Sequence, residues 1–135
     1  TLRALQMAAE AAPADRTKLA AYRAALDAAL QGHPDDAELW LLRGVAASDD
    51  PFERGQGSGT PSVPYYKKAL ALGAVAAHHY LTHAYENTGQ TALALQHAAA
   101  YAQAAASIPH ALHMHGHVLR RAGRIAEAVA AFEAA

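Results

Sequence analysis

Apolar residues recur every three or four positions along most of the chain, which is the spacing of an α-helix with one buried face. The clearest stripe consists of Leu19, Tyr22, Leu26 and Leu30. Proline and glycine interrupt the pattern at intervals and mark where helices end. The pattern predicts helices over residues 1–12, 16–31, 37–47, 62–72, 91–105 and 125–135, with two more around 78–86 and 110–117.

The two segments around 78–86 and 110–117 are rich in histidine, and each begins a similar sequence of elements. Each is followed by a helix-breaking glycine, Gly89 or Gly123, and then by an alanine-rich helix. The two glycines are 34 residues apart, which is a period typical of helical-hairpin repeats. We therefore expect an all-α protein of about four hairpins and eight helices.

Several residues match a known repeat pattern at this period. Trp40 and Gly44 follow the break at Pro34, and the next two units continue the match with Leu81, Tyr85, Gly89 and Ala94, then Gly116, Gly123, Ala128 and Phe132. The chain thus resembles the tetratricopeptide repeat family, as a fragment of a bacterial-type protein of that family. The resemblance implies a right-handed superhelix of antiparallel helix pairs, whose first helices line a concave groove. His78 and Leu112 depart from it, since they stand where the family usually has Trp.

The predicted repeats form one domain, 1–135, with units at 1–34, 35–74, 75–108 and 109–135. Residues 49–61 are rich in glycine and exceed the turn of a repeat, so they form an insertion in the second unit. We expect this insertion to be mobile or to fold over the groove. The chain starts without Met and stops within an amphipathic helix, so we expect it to be a piece of a longer protein. Its compartment and oligomeric state are left open.

Composition narrows the classes of function. The formal charge of −1, with both signs interspersed, predicts no nucleic-acid surface. The absence of cysteine excludes disulfides, thiolate metal sites and a cysteine nucleophile. No apolar run is long enough to span a membrane, and no signal peptide is visible. Phosphate-binding glycine motifs and Ser-His-Asp arrangements are missing too. Whether the protein is an enzyme is left open, and a role without catalysis is the more expected one.

The histidine spacing places candidate ligands on one face of each helix. His79 and His83 are four residues apart, and so are His113 and His117 at the 34-residue offset. The family resemblance implies that this face points into the groove. By that register the groove residues are His79, His83 and Glu86 from one repeat and His110, His113, His117 and Arg120 from the next.

Two functions and one neutral explanation fit this pattern. By its resemblance, the protein is a binding module that recognises a partner protein or peptide in the groove. The alternative is a structural or catalytic site for a divalent transition metal (Zn, Cu, Ni or Fe) formed by His79, His83, His113 and His117 with Glu86. Tyr80 and Met114 stand where a HExxH motif has its Glu, so that catalytic motif is missing. Duplication of one repeat would also reproduce the histidines without any function.

Overall fold

The protein is all-helical in the part of the chain that its computed structural model describes, residues 1–48 and 59–135. No strand occurs in these residues, and the eight α-helices pack in neighbouring pairs. The prediction of an all-α fold is confirmed. The helices are α1 Leu2–Ala11, α2 Arg16–Gly32, α3 Ala37–Ala47, α4 Val63–Ala71, α5 Ala77–Asn87, α6 Thr91–Ala104, α7 Pro109–Arg121 and α8 Ile125–Glu133.

Short polar side chains cap the start of three of the described helices: Thr1 for α1, Asp15 for α2 and Asp36 for α3. The carboxylate of Asp15 accepts a hydrogen bond of 3.1 Å from the backbone N–H of Thr17 at the start of α2. Asp36 accepts one of 3.1 Å from the backbone N–H of Leu39 at the start of α3. Each bond satisfies an amide that the first helical turn leaves unpaired. The predicted starts of α2 and α3 are therefore confirmed.

Glycines in the left-handed conformation end α5 and α7. Gly89 has a φ of 73° and Gly123 a φ of 78°, values that L side chains rarely adopt. After Gly89, the backbone N–H of Gln90 donates to Tyr85 O at 2.8 Å, and that of Gly89 donates to Glu86 O at 3.1 Å. This pair of bonds is the Schellman motif, which satisfies the last carbonyls of a helix and turns the chain back. The predicted helix-breaking role of both glycines is confirmed.

The helices group into two compact units, Thr1–Ala74 and Val75–Ala135. In the first unit α1 packs on α2, α2 on α3 and α3 on α4. In the second, α5 packs on α6, α6 on α7 and α7 on α8, and α5 also contacts α7. The division falls at residue 75, where the third repeat is predicted to start. The prediction of one domain over 1–135 stays a prediction.

Most of the predicted insertion, with its aromatic residue Phe52, lies outside the described residues. Only its last three residues, 59–61, are described, and a 3-10 turn at Thr60–Ser62 leads from them into α4. Pro64 sits in the first turn of α4, where a missing backbone N–H costs no hydrogen bond. Among the described helices, none has the length and apolar character needed to cross a membrane.

The core of the first unit lies between α1, α2 and α3. It contains Leu19, Tyr22, Leu26 and Ala46, with Leu2, Leu5, Leu39 and Leu42 packed against it. Gly44 lets α4 approach α3, because a Cβ at this position would collide with the ring of the fully buried Tyr66.

In the second unit, a glycine likewise allows close packing between α7 and α8. A Cβ on Gly116 would lie 2.7 Å from Cε1 of Phe132, closer than such atoms approach in proteins. Thr82 and Ala98, which stand 34 residues before this pair, are both fully buried. The larger residue at these positions is Phe132 on the second helix of the α7–α8 hairpin, whereas it is Thr82 on the first helix of the α5–α6 hairpin.

Candidate functional site: a histidine pocket on α5 and α7

The second unit contains a pocket of about 260 Å³ between α5 and α7. Most of the side chains around it are polar, and both helices contribute some of them. We call it the histidine pocket. Its lining residues are His83, Glu86, Asn87, His110, His113, Met114, His117 and Arg121.

Helical spacing brings the histidines into edge-to-face pairs with repeated geometry. On α5, the ring centroids of His79 and His83 are 4.7 Å apart and their planes meet at 79°. On α7, the centroids of His113 and His117 are 4.5 Å apart and their planes meet at 80°. Residues four apart lie one helical turn above each other, so the same spacing produces the same edge-to-face contact twice.

The α7 pair, His113 and His117, stands at the open side of the pocket. His113 is exposed and His117 is half-buried. Their Nε2 atoms are 2.9 Å apart, which is a hydrogen bond in which one ring donates and the other accepts. Phe132 of α8 packs against both rings, with centroid distances of 5.6 and 5.3 Å. Burial, and then the neighbouring imidazole of His113, lower the pKa of His117.

The α5 pair, His79 and His83, is more enclosed. The ring of His79 contacts the ring of His110 at 5.0 Å and that of Tyr101 at 5.9 Å. Burial lowers the pKa of both imidazoles to about 4, with His110 adding to the effect at His79. Both rings are therefore neutral at pH 7. Nδ1 of His79 and Nε2 of His83 are buried, and neither has a hydrogen-bond partner in the described structure.

Glu86 carries a nearly enclosed carboxyl group beside these rings. Its side chain is 8% exposed, and Oε2 lies 3.7 Å from Nδ1 of His83. Oε1 lies 3.4 Å from Nε of Arg121, an ion-pair distance, but it is buried without a hydrogen bond in the described structure. Burial raises the pKa of Glu86, and the attraction of Arg121 only partly opposes this. Burial wins because the Arg121 side chain is 57% exposed and its charge is screened by water.

The structure places most of the predicted site residues in one place. His83, Glu86, His110, His113 and His117 line the histidine pocket. His79 lies behind them, against His110 and Tyr101. Arg120 is exposed and does not line the pocket, whereas its neighbour Arg121 does. Sequence reasoning also missed Asn87 and Met114 as lining residues.

The four imidazoles of the metal hypothesis do not converge on one point. Among residues 1–48 and 59–135, no three or more His, Asp or Glu side chains are grouped so that they could hold a metal ion. Two imidazole nitrogens on this face do lie close together, but within one helix: Nε2 of His113 and Nε2 of His117 are 2.9 Å apart. A metal site on this face would therefore have two histidine ligands and not four.

A second histidine cluster joins α5 to α6. Nδ1 of His78 and Nδ1 of His97 are 2.9 Å apart, and the ring of His97 stacks on Tyr85 with a centroid distance of 5.5 Å. The sequence contained no signal for this pair, because the two histidines are on different helices and share no repeat position. We interpret the cluster as part of the packing between these helices.

Comparison with known proteins adds no assignment. The sequence matches no model of a known protein family, and no curated protein matches it. The function is therefore argued from the site.

Proposed function

We propose that the protein is a tetratricopeptide-type binding module that holds a segment of a partner protein along α5 and α7. One side chain of that segment enters the histidine pocket. The proposal includes the right-handed superhelix and concave groove that the repeat pattern implies. It rests mainly on one observation: three buried polar atoms at or behind the pocket, His79 Nδ1, His83 Nε2 and Glu86 Oε1, have no hydrogen-bond partner in the described structure.

Unpaired buried polar atoms favour a ligand. Each costs about 1–3 kcal/mol when it is left without a hydrogen bond. Such a cost is tolerated where a bound group supplies the missing bonds, as at binding sites. His83 and Glu86 line the pocket directly, so a group that enters it contacts the two side chains that carry unpaired atoms. A ligand that forms hydrogen bonds with these atoms would remove part of this free-energy cost and would bind more tightly as a result.

The size of the pocket indicates a side chain and not a whole small molecule. Its volume of about 260 Å³ is below the roughly 300–1,000 Å³ typical of pockets that enclose drug-sized ligands. A peptide that lies across the two helices would place one residue in the pocket and make its other contacts outside. Recognition of this kind is common for helical-repeat surfaces.

The charged groups of the pocket favour an uncharged side chain that can both donate and accept a hydrogen bond. A carboxylate would be repelled by Glu86, and a cation would compete with Arg121 for the same carboxylate. A side-chain amide can donate to Glu86 Oε1 and accept from the N–H of a neutral imidazole such as His83. We therefore propose that the partner inserts an Asn or Gln.

The test is selection of peptides from a random library on the purified protein, followed by fluorescence anisotropy with synthetic peptides in EDTA. Selected peptides should share an Asn or Gln, and its replacement by Ala should weaken binding at least about 10-fold, as for a buried anchor. His83→Ala should weaken binding similarly. His33→Ala, an exposed histidine in the first unit, should leave it unchanged. Peptides that bind wild type and His83→Ala equally would refute the pocket as the recognition site.

A further inference from the structure

We infer that His113 and His117 form a two-histidine site for a divalent transition-metal ion of tetragonal preference, Cu²⁺ or Ni²⁺. The site uses the open side of the histidine pocket. It goes beyond the partner-binding proposal and does not depend on it, because the ligands are two side chains of α7 alone. Imidazole nitrogen is a preferred ligand for both ions.

The separation of the two nitrogens fits such an ion. With metal–nitrogen bonds of about 2.0–2.1 Å, two ligands at 90° lie about 2.9 Å apart, and two at the tetrahedral angle lie about 3.4 Å apart. The Nε2 atoms of His113 and His117 are 2.9 Å apart. Their spacing is that of adjacent ligands in a square-planar or octahedral ion, the geometries that Cu²⁺ and Ni²⁺ favour. A tetrahedral Zn²⁺ would have to push the rings apart.

Packing restricts the orientation of the His113 and His117 rings before an ion binds. Phe132 packs against both of them, and its own position is fixed by the close approach of α8 to Gly116. Ligands whose orientation is fixed by packing lose little freedom when they bind. The ion replaces the single hydrogen bond between the imidazoles with two coordinate bonds. Water completes its sphere, since no third His, Asp or Glu in the described residues is grouped with the pair.

The equivalent pair on α5 is a natural control. His79 and His83 have the same spacing and nearly the same ring geometry. However, Nδ1 of His79 and Nε2 of His83 are buried, and the His79 ring is covered by His110 and Tyr101. These two buried nitrogens are less accessible to a hydrated ion than those of the α7 pair, of which His113 is exposed. We therefore expect the α7 pair to bind the ion and the α5 pair not to bind it, although their sequence spacing is the same.

The experiment is titration of tag-free, EDTA-treated protein with Cu²⁺ alone near pH 7.5, followed by calorimetry and electron paramagnetic resonance. Wild type should bind one Cu²⁺ with hyperfine coupling to two nitrogens. His113→Gln with His117→Gln should weaken binding at least about 10-fold, since even outer-shell changes cost 10–100-fold in affinity. His79→Gln with His83→Gln should bind as wild type does. His115→Gln, on α7 but outside the pair, should also bind normally, and it keeps the test valid if the α5 variant does not fold.

Two outcomes would overturn the inference. One is an α7 double variant that binds Cu²⁺ as tightly as wild type. The other is Ni²⁺ binding that is weaker than Zn²⁺ binding in wild type, because a tetrahedral preference contradicts the 2.9 Å spacing of the nitrogens. Peptide binding is measured in EDTA, so the failure of either proposal leaves the other unaffected.

Discussion

Acidification from pH 7 to pH 5 should destabilise the folded protein through His79 and His83. Burial lowers the pKa of both imidazoles from 6.5 to about 4, so the native state takes up fewer protons than the unfolded chain does. Their contribution to stability is complete above pH 6.5 and is lost as the pH falls from 6.5 towards 4. This follows because protonation of either ring is easier in the unfolded state.

The size of the effect follows from the two pKa values. At pH 5 a histidine of pKa 6.5 is almost fully protonated, whereas one of pKa about 4 is mostly neutral. The difference, relative to pH 7, is about 2 kcal/mol for each ring. The His83 side chain is 16% exposed and His79 is half-buried, so water screens part of this free-energy difference. Halving it for screening leaves a loss of about 2 kcal/mol for the two rings together.

The charged groups around these rings act in both directions. His110 faces His79 and adds to the lowering of its pKa. At His83, the imidazoles of His79 and His110 act in the same sense, followed by Arg121 and His117. Glu86 works against the loss, because its raised pKa makes the folded protein more stable as the carboxyl group becomes protonated. A comparison of variants that all keep Glu86 removes its contribution.

The assay is urea denaturation at pH 7 and pH 5 in EDTA, followed by circular dichroism. Wild type should lose about 2 kcal/mol of unfolding free energy from these two rings, beyond the change that the variant His79→Gln with His83→Gln shows. His33→Gln is the control for an exposed histidine and should follow wild type. Equal pH dependence in wild type and the double variant would refute the assignment of low pKa values to these rings.

Three further changes test the packing and the pocket by the same denaturation at pH 7. Gly116→Ala should cost about 1–3 kcal/mol, because its Cβ would overlap the ring of Phe132. Gly32→Ala is its matched control, and with open space around it should be neutral or stabilising by up to about 1 kcal/mol; an equal cost at both sites would contradict the close approach. Gly89→Ala should cost about 1–2 kcal/mol for its left-handed φ, and a neutral result would mean that the turn can rearrange. Glu86→Gln should raise the free energy of unfolding, because burial raises the pKa of this carboxyl group and therefore disfavours its charged form. A lower free energy of unfolding in this variant would show that the carboxylate is stabilised by its neighbours more than it is destabilised by burial.

The helices were predictable because their ends are encoded locally. Asp15 and Asp36 are side-chain caps, and Gly89 and Gly123 adopt the left-handed turn that ends a helix. The predicted helix 37–47 matches α3 at both ends. The ends of α2, α4, α6 and α8 differ by one or two residues, since the last turn of a helix is weakly held and no single side chain fixes it.

The pocket was only partly predictable because its shape depends on how α5 meets α7. The spacing of His113 and His117 fixes their common face, whatever the packing. The choice between Arg120 and Arg121 is different, since adjacent residues differ by about 100° around a helix. A modest rotation of α7 decides which of them reaches Glu86, and sequence periodicity does not contain that rotation. Likewise, helical spacing did not show that His79 would be covered by another ring.

Duplication of one repeat would account for the paired histidines but not for the pocket around them. A copied repeat would place the same side chains at positions 34 residues apart, as it does for His79 with His113 and His83 with His117. The other polar members of the pocket have no such copy. The equivalents of Glu86, His110 and Arg121 are Arg120, Ala76 and Asn87. The buried carboxylate, its guanidinium and the histidine beside them are therefore not accounted for by copying alone. Their convergence at one pocket, at a cost in unpaired polar atoms, is what a binding site requires and what duplication alone does not supply.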